Sequence, residues 1–224
     1  MMTGEKMNPI PQSKRGLELY HAEIDRLPTD LKAALAAACT QRQAEVYRAY
    51  ARRTGTRASA AFNNLLDAIW EMIRRRQSHS AKEHMEWESR AERLYPGHAA
   101  KPDVYRGRAR IAVLALLHSN NVLWTHKAQD TCSAAHETFM SIYNTLTGPI
   151  GEKPQIDLNE PNAIERIFAH PLIESEHRRQ ERDLFEVQQA LLRPNTIPAV
   201  VDELRRRSVV EARDFVPIIE AQRM

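Results

Sequence analysis

Glu174 and His177 stand three residues apart, a spacing that on a helix sets a carboxylate and an imidazole on one face. Di-iron bundles use two such Glu-x-x-His pairs and two further glutamates. This sequence has one copy, since Glu83-His84 and His136-Glu137 are adjacent rather than spaced. Arg178, Arg179, Glu181 and Arg182 surround the pair and favour a solvated, ion-paired helix face. No metal is assigned. His118 and His126, eight residues apart around Asn120, Asn121 and Trp124, could pair on one face of an unbroken helix. Ser119-Asn120-Asn121 reads instead as a fraying end or turn, which gives the two histidines structural roles.

Cys39 and Cys132 are too few for a disulfide scaffold or a cysteine zinc site, and both lie among apolar residues, as inert core thiols do. The chain contains no phosphate loop, glycine-rich dinucleotide turn, His-Glu-x-x-His or Gly-x-Ser-x-Gly. No catalytic residue and no cofactor are therefore assigned.

Arg42 shares a helix face with Leu35, Cys39 and Val46, so it is expected to be partly buried. A buried guanidinium needs carboxylate partners. Glu174, Glu176 and Asp67 are the candidates, forming a structural ion-pair network in which Glu174→Gln should lower the melting temperature by several degrees. Trp70, with Tyr47 and Tyr50, could line a ligand pocket, but the apolar stripe around Trp70 makes these core aromatics.

The elements that must position these residues are all helical. A loose tail over residues 1–13 is followed by a single all-helical domain over 14–224. A short helix runs to Arg26 and stops before Leu27-Pro28, and Thr29 or Asp30 then caps a long helix to about Thr54, ended by Gly55. The stripe Phe62, Leu65, Leu66, Ile69, Trp70, Ile73 marks the next helix, with Arg74, Arg75 and Arg76 in its last turn. A polar helix over 78–95 leads into a loop through Pro102. The most apolar helix, 104–124, is the expected centre, and another follows over 127–146. Residues 148–158 read as a long exposed loop. Asn159 caps a segment that His170-Pro171 interrupts, then come helices over 172–192 and 198–210, with Phe215 to Ile219 tucked in as an apolar tail. The result is an all-α, compact bundle of about eight helices.

Composition excludes several classes. The 224 residues are 42% hydrophobic, enough for a core, and 7 Gly with 6% aromatic residues argue against a strand-rich fold. The most apolar run, Ile111 to Leu117, is about a third of the ~20 residues a membrane span needs, and the N-terminus has no apolar signal core. A soluble, cytoplasmic protein with no membrane partner is expected.

Three blocks carry a family resemblance. They are Arg42, Tyr47, Tyr50, Thr54-Gly55 with Leu66-Asp67-x-Ile69-Trp70-Glu71; Tyr105 with the apolar run to Leu117-His118; and His170-Pro171-x-x-Glu174-x-Glu176-x-x-x-Gln180. Val201-Asp-Glu-Leu-Arg205 adds a C-terminal echo. Together they resemble the bacterial YjaG-like family, domain of unknown function 416, over roughly residues 26 to 207. Arg42, Tyr47, Asp67, Trp70, Glu174, Glu176 and Gln180 are the structural network expected to tie these blocks together, and the resemblance implies a compact all-helical fold and no established activity.

Charge then bears on partners. Net charge is +3, with 32 basic and 29 acidic residues, a mixed surface weaker than dedicated nucleic-acid binders show. The helix with Arg205, Arg206 and Arg207 alternates these with Asp202, Glu203, Glu211 and Asp214, as solvated faces do, so a nucleic-acid-associated regulator is the lesser reading. An enzyme with a polar pocket of Arg42, Glu174, His177 and His118 is another. The favoured expectation is a non-catalytic module that binds another protein, most concretely an immunity or antitoxin-type protein that blocks a bacterial toxin. Arg52, Arg53, Arg57, Arg74, Arg75 and Arg76 are its candidate contacts, and self-association stays open.

Overall fold

A computed structural model describes residues 14–97, 104–148 and 156–215. Over these residues the chain forms ten α-helices: α1 (Lys14–Asp25), α2 (Thr29–Arg42), α3 (Ala44–Thr54), α4 (Ala58–Arg74), α5 (Ala81–Glu92), α6 (Val104–Thr125), α7 (Ala128–Thr147), α8 (Ala163–Phe168), α9 (Pro171–Leu191) and α10 (Ile197–Glu211). Short 3-10 turns over Pro194–Thr196 and Ala212–Phe215 flank α10. No strand occurs among the described residues, and no helix there is long and apolar enough to cross a membrane. The tail expected over 1–13, the loop before Pro102, most of the 148–158 loop and the apolar tail beyond Phe215 lie outside them.

The hub is α2 rather than α6. Every residue from Leu31 to Thr40 is buried, so α2 is covered on all sides, and α4, α6, α7, α9 and α10 pack on it. Hydropathy pointed to α6 because it counts bulky side chains, whereas α2 is buried through Ala33, Ala34, Ala36, Ala37 and Ala38, each with no exposed surface. Small side chains let neighbouring backbones approach, and hydroxyls then bridge them. Thr40 Oγ1 donates to Ala115 O on α6 at 2.9 Å, and from α7 Thr131 and Thr138 donate to Lys32 O and Cys39 O at 3.2 and 3.1 Å.

The long helix expected from Thr29 to Thr54 is broken at Gln43, where φ is −85° and ψ −7°, and its N–H turns to Thr40 O at 2.9 Å. No glycine or proline marks this break. Gly55 ends α3 in the left-handed region, φ +68°, as its position predicted. Around α4 the stripe from Phe62 to Ile73 is buried as a unit, and Tyr47 stacks on Phe62 at 4.6 Å. The expected turn at Ser119-Asn120 is instead helical interior. Both residues have no exposed surface, Ser119 meets Thr40 at 2.7 Å, and Asn120 bonds His84 on α5 at 3.1 Å. Buried polar partners on α2 and α5 override the local preference of Ser and Asn for turns.

Candidate functional site

The densest chemistry in the fold gathers around Arg42. It sits in the last turn of α2 with no exposed surface. The α9 helix faces it with Ile173, Glu176, Gln180, Asp183 and Val187, spaced three, four, three and four, which is one row on a helix. The α10 helix presents Val201, Leu204, Ser208 and Glu211 in the same rhythm. Arg42 Nε donates to Glu176 Oε1 at 3.1 Å, Nη1 to Asp183 Oδ2 at 2.8 Å and to Glu211 Oε2 at 3.3 Å, and Nη2 to Cys39 Sγ at 3.3 Å. One guanidinium thus ties α2, α9 and α10 together through three carboxylates.

Three carboxylates exceed one cation, and further arginines complete the balance. Arg207 donates to Asp183 Oδ1 and Glu186 Oε2, both at 2.8 Å, and Arg182 donates to Glu211 Oε1 at 2.6 Å. Arg179 lies 3.8 Å from Glu176 and bonds Asp214 in the 3-10 turn. Gln180 donates to Glu176 Oε1 at 2.9 Å and to Ala135 O of α7 at 3.3 Å, extending the network to a fourth helix.

The ends of the Arg42–Glu176 pair are shifted differently. Burial opposes Arg42's charge, but Glu176, Cys39 and Asp183 together hold it even more firmly protonated than usual. Glu176 has one share of that guanidinium, and its Oε2 accepts no hydrogen bond among the described residues, so burial raises its carboxyl above the usual range against Arg42's pull. Asp183 is also pushed upward by burial. Arg42's charge, with hydrogen bonds from Arg42 and Arg207, outweighs this and holds its carboxyl low. Burial pushes the Cys39 thiol up to about 12 and Cys132 to about 11. Such thiols are poor nucleophiles.

Of the network expected from sequence, Arg42, Glu176 and Gln180 come together here. Glu174 and Asp67 do not. Glu174 points outward and accepts from Arg178 at 2.8 Å, and Asp67 is exposed and accepts from Arg205 at 2.7 Å. The reason is register, because Glu174 falls on the outer row of α9 with Arg178 and Phe185, while Glu176 falls on the inner one. Asp183 and Glu211 were missed, although both lie on their helices' apolar rows. Tyr47 and Trp70 are core residues outside the network. Tyr47 donates to Leu94 O at 2.8 Å, and Trp70 Nε1 donates to Gln41 Oε1 at 3.3 Å.

The other candidate residues disperse. His177 is buried and stacks on Phe139 at 5.7 Å, whereas Glu174 is exposed and paired with Arg178. His118 approaches Asp130 of α7 at 3.7 Å, whereas His126 follows the end of α6 and meets Thr29 at 3.2 Å. Among the described residues no three His, Cys, Asp or Glu side chains are placed to hold a metal.

A family model described as "Protein of unknown function (DUF416)" matches residues 20–211. The chain belongs to the DUF416 family. The crystal structure of a DUF416 family protein from Shewanella baltica OS155 superposes with a TM-score of 0.68, at 18% identity, over 84% of this chain and 92% of that one. At that identity the likeness shows the fold. No curated protein matches the chain by sequence. The DUF416 match spans α2, α9 and α10, so Arg42 and its three carboxylates, Glu176, Asp183 and Glu211, fall within the family region.

Arginine runs elsewhere in this DUF416 chain differ in how their charge is met. Arg74 pairs with Glu71 and Asp202 at 3.3 and 3.2 Å, Arg75 with Glu71 at 3.9 Å, and Arg76 with Asp30 at 3.4 Å. Arg205, Arg206 and Arg207 are paired likewise. Arg52, Arg53 and Arg57 are exposed at the α3–α4 corner and have no carboxylate partner among the described residues, and Arg53 rests on the Tyr105 ring at 4.6 Å.

Proposed function

We propose that the protein works by binding another protein through the α3–α4 corner. The observation that carries this reading is the contrast among its arginine runs. The runs at 74–76, 178–179 and 205–207 are answered by carboxylates of the same chain, whereas 52–53, with Arg57, is not among the described residues. Unpaired exposed guanidiniums steer association with an acidic surface, and Tyr105 beneath Arg53 holds one of them in place. The Arg42 cluster supports the same reading from the other side. Its central groups are closed to solvent and hold helices together, so the densest polar chemistry serves the scaffold.

The most concrete form is an immunity-type protein whose basic corner occupies the acidic cleft of a bacterial toxin. The test is purification from the native host at moderate salt, identification of a stoichiometric partner by mass spectrometry, and association kinetics of Arg52→Glu/Arg57→Glu. The double reversal should slow association at low salt about tenfold or more. A partner that associates equally fast with the reversed protein would reject the corner, and nuclease-sensitive co-purification would reject a protein partner.

A further inference from the structure

A second site lies where the N-termini of α2 and α10 meet the C-termini of α4 and α6. A pocket of about 350 Å³ opens there, at the small end of the ~300–1,000 Å³ range of ligand sites. Its apolar lining comes from exposed Pro28 and from Ile73, Leu123 and Ile197, which are buried behind it. Its polar lining includes Asp30, Arg76 and His126. Among the described residues three non-glycine residues have positive φ, and two of them, Arg76 at +52° and His126 at +61°, line this one pocket. Each follows a helix end, where glycine is the unstrained choice. The chain thus holds a guanidinium and an imidazole where local backbone preference would leave neither.

The charged groups are sparsely used. Arg76 makes one long contact, Nε to Asp30 Oδ2 at 3.4 Å, and its two terminal nitrogens have no partner among the described residues. Asp30 Oδ1 accepts from its neighbour's N–H at 3.1 Å. His126 Nδ1 meets the Thr29 hydroxyl at 3.2 Å, and Nε2 has no partner among the described residues.

We propose that this pocket binds a free α-amino acid with an apolar side chain. One cation and one carboxylate sit 3.4 Å apart beside an apolar lining, and a zwitterion matches both signs at that separation. Its carboxylate takes the terminal nitrogens of Arg76, with His126 Nε2 beside it. The ammonium takes Asp30, and the side chain packs on Pro28 over the edges of Ile73, Leu123 and Ile197. A simple anion would face Asp30 and a simple amine would face Arg76, so neither fits as well. This site is separate from the arginine corner at α3–α4, and its ligand is independent of the partner proposed there.

Calorimetric titration of the full chain tests the assignment with l-leucine, isoamylamine (no carboxylate) and isocaproate (no ammonium). Leucine should bind at least about tenfold more tightly than either analogue. Arg76→Gly removes the guanidinium while placing glycine in the conformation that suits it. This variant should melt no lower than the parent protein and bind leucine at least about tenfold more weakly, and Asp30→Asn should weaken binding similarly. The proposal is overturned if leucine, isoleucine, methionine and phenylalanine all give no saturable binding, if either analogue binds as tightly as leucine, or if Arg76→Gly binds leucine unchanged.

Discussion

Arg42 Nη1 lies 2.8 Å from Asp183 Oδ2, the shortest of its contacts to the three carboxylates around it. Asp183's other oxygen accepts from Arg207 at 2.8 Å, so both oxygens are engaged by guanidinium groups in a buried setting. Glu176 is equally buried, but its Oε2 accepts no hydrogen bond among the described residues and has only Arg179 at 3.8 Å. Removing a well-paired buried charge leaves its partners uncompensated, at a cost of about 3–5 kcal/mol. Asp183→Asn should lose stability of that order. Glu176→Gln should lose less than half as much, because its carboxylate is already poorly served. Urea unfolding at about pH 7 checks the order, and equal losses would undo the distinction.

Acid titration separates the same two residues. Asp183's folded pKa lies below its unfolded value near 3.9, so its contribution is complete above about pH 4 and is lost as pH falls through the folded pKa. Glu176's is raised above about 4.3, so its contribution is present below that value and is lost as pH rises through the folded pKa. Stability measured from about pH 7 down to pH 3 should therefore show a weaker acid-side loss in Asp183→Asn than in the parent chain. In Glu176→Gln the decline on the alkaline side of about pH 4 should shrink. A parent-like profile in both variants would mean that neither shift is real.

Much of this was legible in the sequence. Partial burial of Arg42 was expected from a row with Leu35, Cys39 and Val46, and α4 followed from a six-residue apolar stripe. Leu35 and Cys39 keep that row on α2, whereas the break at Gln43 places Val46 on α3. Which carboxylates reach Arg42 depends on the rotation of α9. The row Ile173, Glu176, Gln180, Asp183, Val187 encodes that rotation, but polar members dilute its apolar signal. The hub role of α2 was obscured because alanine contributes little hydropathy while permitting the closest packing. How the arginine runs divide between paired and unpaired could not be read, since partners such as Arg74 and Asp202 are far apart in sequence. For Glu174 the structure reverses the expectation. Its partner is an exposed arginine one turn away, so Glu174→Gln should shift the melting temperature little.

Gln43 separates α2 from α3, has no exposed surface, and neither atom of its amide group has a hydrogen-bond partner among the described residues. Burying an unsatisfied amide costs about 1–3 kcal/mol relative to a well-packed apolar group. Gln43→Met keeps the length of the side chain and removes both orphaned atoms. It should raise stability by about 1–2 kcal/mol, read as a higher urea midpoint at unchanged slope. A loss of stability would show that the amide serves the helix break itself.

The arginine corner predicts a contrast between two sets of charge reversals. Arg74 is held by Glu71 and Asp202, so Arg74→Glu places like charges together and should lower the melting temperature. Arg57→Glu disturbs no pair among the described residues and should leave melting within about 0.5 kcal/mol of the parent. Thermal unfolding of the two variants side by side is the measurement. Comparable losses would mean that Arg57 has a stabilising partner after all.

Cys39 offers a reporter for the whole cluster. Its sulfur accepts from Arg42 at 3.3 Å, it is buried, and its pKa is pushed up to about 12, so at about pH 8 roughly one thiol in ten thousand is ionised. Cys132 on α7 is partly exposed with a pKa of about 11, and should alkylate first with iodoacetamide in the native state. Cys39 should react only as the junction of α2, α9 and α10 opens, at a rate set by that opening. Asp183→Asn loosens the same junction and should speed Cys39 labelling while leaving Cys132 nearly unchanged. Peptide mass spectrometry over a time course resolves the two sites. Faster labelling of Cys39 than Cys132 in the folded parent chain would contradict the closed cluster on which the scaffold reading rests.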